Sequence, residues 1–164
     1  MPVLTIRRFP DPVLRKISAP VQKIDRTLRI FIERLIKTMQ TQAGGIGIAA
    51  PQVGVLKRIA IVDVSPKVAG AKLLVLINPV ILSLEDEKVI REGCMSLPDF
   101  TANVKRAERI TLRSHNLDLK EEQLVTAGLE ARCIQHEIDH LNGNLFVDRV
   151  ASLKSDVFRR KRYL

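Results

Sequence analysis

Residues 136–140 read His136-Glu137-Ile138-Asp139-His140, and this stretch decides how the rest of the chain is interpreted. On an α-helix, residues four positions apart lie one turn apart on the same face, so both imidazoles can reach one metal ion. Glu137 follows the first histidine and can point at a water on that metal, where a hydrolase needs its base. The stretch therefore predicts a helix that carries a hydrolytic metal site, against the alternative of an ordinary amphipathic helix with surface histidines.

The residues around this motif extend the helix in both directions. Thr126 is the expected N-cap, and Gly143 stands where a glycine commonly follows the end of a helix. The expected apolar stripe consists of Leu129, Cys133, Ile134 and Leu141. This pattern predicts a long C-terminal helix that packs one face against the rest of the protein.

Further upstream, two more helices are predicted. Asp11 is the expected N-cap of a short helix that extends to about Ile17. Asp25 caps a longer amphipathic helix, which Gly44-Gly45 is expected to end.

Between about residues 46 and 125 the pattern changes to that of strands. Short apolar runs at 59–62, 73–77 and 89–90 are bounded by glycine, proline or charged residues, and further strands are expected around Ile110, Leu112, Leu117 and Leu119. The order of helices, strands and helix predicts one α+β domain over residues 1–164. Its mostly antiparallel sheet is expected to pack around the central C-terminal helix that carries the His-Glu-x-x-His motif.

Length and composition limit the classes of protein to which this chain can belong. The chain has 164 residues, of which 46% are hydrophobic and 27% charged, as in an ordinary globular protein. No targeting segment and no membrane-spanning run is recognised, and the two cysteines do not suggest a disulfide framework, so we expect a cytoplasmic protein. The net charge of +9 includes a basic C-terminal tail at about 151–164, which makes RNA or the ribosome a candidate partner.

A catalytic metal site usually has three protein ligands, so a third ligand must join the two histidines. In one group of zinc proteases a further histidine follows six residues later, but that position here is Phe146, which cannot bind a metal. The remaining candidates are His115, Cys133 and Cys94. Cys94 lies in a glycine-containing turn at the end of a predicted strand, which is a rigid position for a ligand, and a nearby cation would favour its thiolate.

A glycine pattern earlier in the chain has a second interpretation, as a dinucleotide-binding fingerprint. Gly45, Gly47 and Ala50 have the required spacing, but that fingerprint must follow a strand and open a helix. Here the pattern follows a helix and Pro51 closes it. A nucleotide cofactor is therefore not expected.

Three segments together resemble the peptide deformylase family. Residues 45–52 (Gly-Ile-Gly-Ile-Ala-Ala-Pro-Gln) are similar to the first family motif, residues 92–96 (Glu-Gly-Cys-Met-Ser) to the second and residues 135–140 (Gln-His-Glu-Ile-Asp-His) to the third. Their order and separation also fit, so the resemblance extends over nearly the whole chain. Met95 stands where the family usually has leucine.

The resemblance implies a metal-dependent hydrolase that removes the formyl group from formyl-methionyl nascent chains and releases formate. The metal ligands it implies are Cys94, His136 and His140, with Glu137 as the base. The implied ion is Fe²⁺, with Zn²⁺, Ni²⁺ or Co²⁺ as substitutes.

Further roles follow from the resemblance and from the residue types. The side-chain amide of Gln52 and the backbone N–H of Met95 are implied to stabilise the oxyanion, and an ion pair between Glu92 and Arg106 is implied to support the Cys94 loop. Substrate contacts are expected at Gly45, Ile46, Gly47 and Cys133, because glycine allows close backbone approach and the other two are apolar. Ile134 is a further candidate for the methionine pocket.

Two other functions compete with deformylation. One is a catalytically silent, metal-stabilised domain that binds ribosomal RNA through the basic tail. The other is a zinc peptidase that cleaves internal peptide bonds, which Phe146 and the match around Cys94 disfavour.

Overall fold

One antiparallel sheet organises the computed structural model, which describes residues 2–160. The strands are β1 (Gly47–Ala49), β2 (Ile59–Val62), β3 (Leu74–Cys94), β4 (Leu97–His115), β5 (Glu121–Ala127) and β6 (Val157–Arg159). Strands β1 to β5 follow one another across the sheet in chain order, and β6 pairs with β4. The helices are α1 (Arg26–Thr41), α2 (Gly128–Leu141) and the short α3 (Leu153–Asp156). This architecture confirms the predicted α+β class.

The two N-terminal helices begin where the sequence predicts but end earlier. The backbone N–H of Val13 donates to Asp11 over 3.0 Å, but the helix that follows is a 3₁₀ turn limited to Pro12–Arg15. Asp25 caps α1 by accepting from the N–H of Leu28 over 2.8 Å. Helix α1 ends at Thr41 rather than at Gly44-Gly45, because Gln42 already has an extended conformation.

Most of the sheet is one long hairpin formed by β3 and β4. The short apolar runs around residues 73–77, 89–90 and 110–112 fall within these two strands. Leu117 and Leu119, which were expected in a strand, instead lie in the turn between β4 and β5. The Asn116 side chain accepts hydrogen bonds from the backbone N–H groups of Asp118 and Lys120 over 2.9 and 3.1 Å, which is how asparagine stabilises a turn.

Helix α2 begins two residues later than its predicted cap. Thr126 is part of β5, where it pairs with Ile110, so its prediction as the N-cap is wrong. Gly128, with φ +67°, makes the change from strand to helix, because glycine adopts this conformation without steric cost. At the other end Gly143, with φ +76°, follows the C-cap residue Asn142 as predicted.

Helix α2 is the centre of the molecule and contacts β1, β2, β4 and β5. Its apolar residues, including Ile134, pack with the inner face of the sheet, while its polar residues 135–137, 139 and 140 are also buried. A helix buried on all sides can keep polar side chains only where they have partners or a function. The buried polar side chains of α2 therefore mark the functional site.

Residues 153–159 of the expected basic tail form α3 and β6, and β6 extends the sheet at residues 100–102. Residues 161–164 lie outside the described part of the chain. Among residues 2–160, no helix is both long enough and apolar enough to cross a membrane.

Candidate metal centre

Three potential metal ligands meet where the β3–β4 hairpin turns against α2. Cys94 is the last residue of β3, while His136 and His140 lie one turn apart on α2. The ligand atoms of the three residues all lie within 4.8 Å of one another, and all three residues are buried. The Cys94 Sγ lies 3.3 Å from Nε2 of His140. One thiolate and two imidazoles in this arrangement suit a divalent transition metal and leave room for a further ligand.

The other two candidates for the third ligand lie outside this cluster. The Cys133 thiol is within 3.6 Å of the Ile46 carbonyl oxygen, and burial together with the Glu137 carboxylate raises the pKa of this thiol. Cys133 therefore stays protonated. His115 is half-buried at the far end of β4, where its Nδ1 is 3.2 Å from Asn78 Nδ2.

The two histidines lie in different electrostatic environments. Burial lowers the pKa of His140, as do the positive charges of His136 and Arg106, so its imidazole is neutral and able to bind a metal. Burial would lower the pKa of His136 as well, but the negative groups of Cys94 and Glu92 outweigh it and raise that pKa. The negative groups that stabilise a proton on His136 would equally stabilise a divalent ion.

A network of buried charges holds the first histidine. Glu92 contacts Nδ1 of His136 and also accepts from Arg106 over 3.1 and 2.7 Å, so the ion pair between Glu92 and Arg106 is present. Burial would raise the pKa of Glu92, but His136 and Arg106 together lower it to about 2. Arg106 donates in addition to Asp139 over 2.6 Å, and Arg149 donates to the same carboxylate over 2.7 Å. The network fixes the orientation of His136 from the side away from the ligands.

Glu137 has the properties of a proton acceptor. Its Oε2 is buried and has no hydrogen-bond partner within residues 2–160. Burial raises the pKa of Glu137, the His136 charge opposes this, and the result is about 7. A carboxylate with a free oxygen and a pKa near neutrality can both take up and release a proton at physiological pH.

Gln52 lies beside Cys94, and hydrogen bonds fix the orientation of its side-chain amide. Its Oε1 accepts from the N–H of Ala49 over 2.9 Å, and its Nε2 donates to Ser96 Oγ over 3.1 Å and lies 3.6 Å from Cys94 Sγ. The acceptor bond fixes the direction of the Nε2 donors. Sequence reasoning missed Ser96, although it is the last residue of the second motif; it is fully buried, and its N–H lies 3.4 Å from Cys94 Sγ.

The cluster opens into a cleft with a volume of about 530 Å³. The site residues predicted from the sequence that line it are Ile46, Gly47, Gln52, Glu92, Cys94, Met95, Cys133, His136 and Glu137. Gly45 and Ile134 do not line the cleft. Gly45 lies against α1, where a β-carbon would be 2.2 Å from the Met39 carbonyl oxygen, and Ile134 is part of the core between α2 and the sheet. Gly45 is therefore required for packing at this position.

Within residues 2–160, the ligand cluster, the neighbouring carboxylate and the adjoining cleft together have the features of a metallohydrolase site. Comparison with known proteins identifies the family. Residues 3–156 match the family model described as polypeptide deformylase. The chain belongs to this family of metalloenzymes, which confirms the predicted enzyme class and leaves a catalytically silent domain without support.

Similar proteins match over nearly their whole length. A peptide deformylase from Thermodesulfovibrio yellowstonii is 46% identical over 98% of this chain and 97% of its own. The crystal structure of peptide deformylase from Thermotoga maritima has a TM-score of 0.86 at 40% identity and covers 93% of this chain and 100% of its own. A Met-Ala-Ser-bound crystal structure of peptide deformylase from Acinetobacter baumannii has a TM-score of 0.83 at 36% identity. The match covers 90% of this chain and 98% of the Acinetobacter chain. These similarities also support the fold class.

Proposed function

We propose that this protein removes the formyl group from the N-terminal methionine of nascent polypeptides, with Cys94, His136, His140 and Glu137 as the central residues. The observation that carries the proposal is the buried Oε2 of Glu137, which has no hydrogen-bond partner among residues 2–160 and lies beside a cluster of one thiol and two imidazoles. The reaction breaks the amide bond between the formyl carbon and the methionine nitrogen. Its products are formate and a peptide with a free amino terminus.

The donor set fits a divalent transition metal. Cys94, His136 and His140 would hold the ion, which would supply Lewis acidity for the reaction of water with the formyl carbonyl. We propose Fe²⁺ as the ion in the cell, with Zn²⁺, Ni²⁺ or Co²⁺ as substitutes, since one thiolate and two imidazoles suit all four.

Glu137 acts first as base and then as acid. It accepts a proton from the attacking water and later donates that proton to the nitrogen that leaves as the free amine. Burial raises the pKa of Glu137, which strengthens this carboxylate as a base toward water. The contact between Glu92 and Nδ1 of His136 orients the neighbouring imidazole during these transfers.

The negative charge that develops on the formyl oxygen requires hydrogen-bond donors that are already in place. Gln52 can supply one, since its acceptor bond from Ala49 directs Nε2 toward Cys94. The backbone N–H of Met95, next to Cys94, is the second proposed donor. The methionine side chain of the substrate is proposed to contact Ile46, Gly47 and Cys133, which line the cleft and offer mostly apolar surface.

The proposed substrate also indicates where the protein works. Nascent chains carry formyl-methionine in the cytoplasm, and both cysteines are free and buried, as suits a reducing compartment. We therefore propose a cytoplasmic enzyme. The basic residues of region 151–164 make the ribosome a further proposed partner.

The test is release of formate from a formyl-Met-Ala-Ser peptide by protein prepared without oxygen and loaded with Fe²⁺. Turnover that a chelator abolishes is expected, while the acetyl-Met-Ala-Ser peptide should remain intact. The Glu137→Gln variant should keep its metal, as measured by elemental analysis, and lose activity by about 10² to 10⁴-fold. Absence of formate release with iron, nickel and cobalt alike would overturn the proposal, and cleavage of an internal peptide bond would favour the peptidase instead.

A further inference from the structure

The cleft that leads to the metal ligands carries an excess of positive charge. Its two carboxylates are Glu92, which Arg106 and His136 engage, and the buried Glu137. Its five cationic side chains are Arg8, Lys67, Arg91, Arg132 and Arg160. Of these five, the salt bridges within residues 2–160 engage Arg132 alone, which pairs with Glu108 over 2.9 Å. The mouth of the cleft therefore attracts negatively charged groups.

Arg160 lies beside Gly93, at the end of β3, because the pairing of β6 with β4 places it at this end of the hairpin. Strand β6 pairs with residues 100–102 of β4, and the N–H of Arg160 donates to the Asp99 carbonyl over 2.7 Å. A β-carbon on Gly93 would be 2.2 Å from Nη2 of Arg160, so the guanidinium occupies the space above this glycine. Gly93 directly precedes Cys94, so the charge of Arg160 lies close to the ligand cluster.

A second arginine is held on the same side of the sheet. Arg91 is two residues before Gly93, and residues at this spacing point to the same face of a strand. Its guanidinium donates to Asn103 over 3.0 Å and to Thr101 over 3.4 Å, and it stacks on the Phe158 ring of β6 with 3.8 Å to the ring centre. Because these contacts already restrict the side chain, little further entropy is lost when it binds a ligand.

We propose that Arg91 and Arg160 make the enzyme prefer nascent chains with an acidic residue at the first or second position after formyl-methionine. This inference rests on the proposed deformylase function and adds a selectivity to it. An extended peptide advances about 3.3 Å per residue. A formyl group at the ligand cluster therefore leaves the next one or two side chains within reach of guanidinium groups around Gly93.

The preference acts through binding and depends on ionic strength. Each exposed ion pair strengthens binding only modestly, so two together should lower KM for an acidic peptide by about three- to tenfold at low salt, with kcat nearly unchanged. The difference should shrink toward 0.5 M salt, where charges are screened over a few ångströms.

The experiment compares peptides that differ in one group. The substrates are formyl-Met-Ala-Asp-amide, formyl-Met-Ala-Asn-amide and formyl-Met-Ala-Lys-amide, together with the isomers in which the variable residue precedes alanine. Amidation removes the C-terminal carboxylate, which would otherwise imitate an acidic side chain. Steady-state kinetics at 20 mM and 500 mM salt are expected to show the lowest KM for aspartate and the highest for lysine.

Two variants test whether the side chain of Arg160 contributes to the preference for an acidic residue. Arg160→Gln should remove most of the difference in KM between the aspartate and asparagine peptides. Arg159→Gln is the matched control, since this neighbour points to the other side of β6 and does not line the cleft. Equal KM values for aspartate and asparagine in the wild-type enzyme at low salt would overturn the inference, as would an Arg160→Gln variant that keeps the full preference.

A binding measurement separates this inference from the deformylase proposal. The product peptides Met-Ala-Asp-amide and Met-Ala-Asn-amide can be titrated into the metal-loaded protein and followed by NMR. Tighter binding of the aspartate peptide, lost in Arg160→Gln, would support the acidic preference even if no formate were released. Equal binding of the two peptides, with normal formate release, would overturn the preference and leave the proposed function intact.

Discussion

The backbone of Gly47 lies directly against the carboxylate of Glu137. A β-carbon built on Gly47 would be 2.7 Å from Oε1 of Glu137 and 2.6 Å from Sγ of Cys133. Both distances are shorter than any normal contact of such an atom, so the β1 backbone and α2 can approach this closely only without a side chain at position 47. The glycine thus fixes where the proposed base can lie.

Gly47→Ala should therefore damage catalysis more than folding. The atoms that must move are the ends of the Glu137 and Cys133 side chains, which can shift at modest cost, but the shift displaces the base by an amount that can reduce kcat about 100-fold. Formate release and urea unfolding measure the two effects. Gly70→Ala is the control, because Gly70 has φ +82° and no atom of the described residues lies within 4 Å of its β-carbon position. This variant should lose about 1 kcal/mol of stability and keep its activity.

Gln52→Glu tests the proposed oxyanion donor with little change of shape. Glutamate keeps an oxygen to accept from the N–H of Ala49 but cannot donate as Nε2 does. Loss of one such donor typically lowers kcat by about 10² to 10³-fold. Steady-state kinetics with formyl-Met-Ala-Ser should show this loss at unchanged metal content. A variant with wild-type kcat would remove Gln52 from the mechanism.

The buried charges around Arg106 should make this side chain essential to stability. Arg106 is 3% exposed and pairs with Glu92 and Asp139, so Arg106→Leu would leave two largely buried carboxylates without their shared cation. Breaking a buried pair in this way costs about 3 to 5 kcal/mol, which chemical denaturation can measure. Arg113→Leu breaks the exposed pair with Glu121 and should cost less than about 1 kcal/mol. Equal effects of the two substitutions would contradict the prediction.

Glu92 should make the protein sensitive to acid. Its pKa is about 2 in the folded protein against an ordinary value of 4.5. The ionised carboxylate therefore stabilises the folded state above pH 4.5, and this stabilisation is lost as the pH falls toward 2. The urea midpoint of the chelator-treated wild-type protein should fall over this range, and that of Glu92→Gln should fall less. Parallel curves would show that Glu92 has the same pKa in both states.

Much of the candidate site could be predicted from local sequence. The spacing of His136 and His140 places them on one helical face, and the position of Glu137 follows from the same geometry. The caps at Asp11 and Asp25 were predicted correctly because a cap bonds to backbone groups two or three residues away. Thr126 was assigned wrongly because its residue type suits a cap, whereas the pairing of β5 with β4 holds it in a strand.

Residues whose roles depend on distant partners could not be derived in this way. The residues alone left Cys94, Cys133 and His115 open as the third ligand, and the family resemblance was needed to favour Cys94. The expected contact between Gly45 and the substrate stays a prediction, and the structure adds that the β-carbon position of Gly45 lies against the Met39 carbonyl oxygen. Arg160 carries no local pattern that would have indicated its position near the ligand cluster. Ser96 lies in the second motif, but its contact with Gln52 depends on the fold.

The sequence by itself determined the helix that carries the two histidines and the glutamate, because helical periodicity and capping depend on neighbours within a few residues. Only the tertiary structure decided that Cys94 meets His140 across 46 residues of chain, that Gly47 lies against Glu137 and that β6 brings Arg160 to Gly93. These contacts depend on the register of strands that pair over long separations and on the packing of α2 against them. Strand register and close packing are collective properties of the folded chain, which no short segment specifies alone.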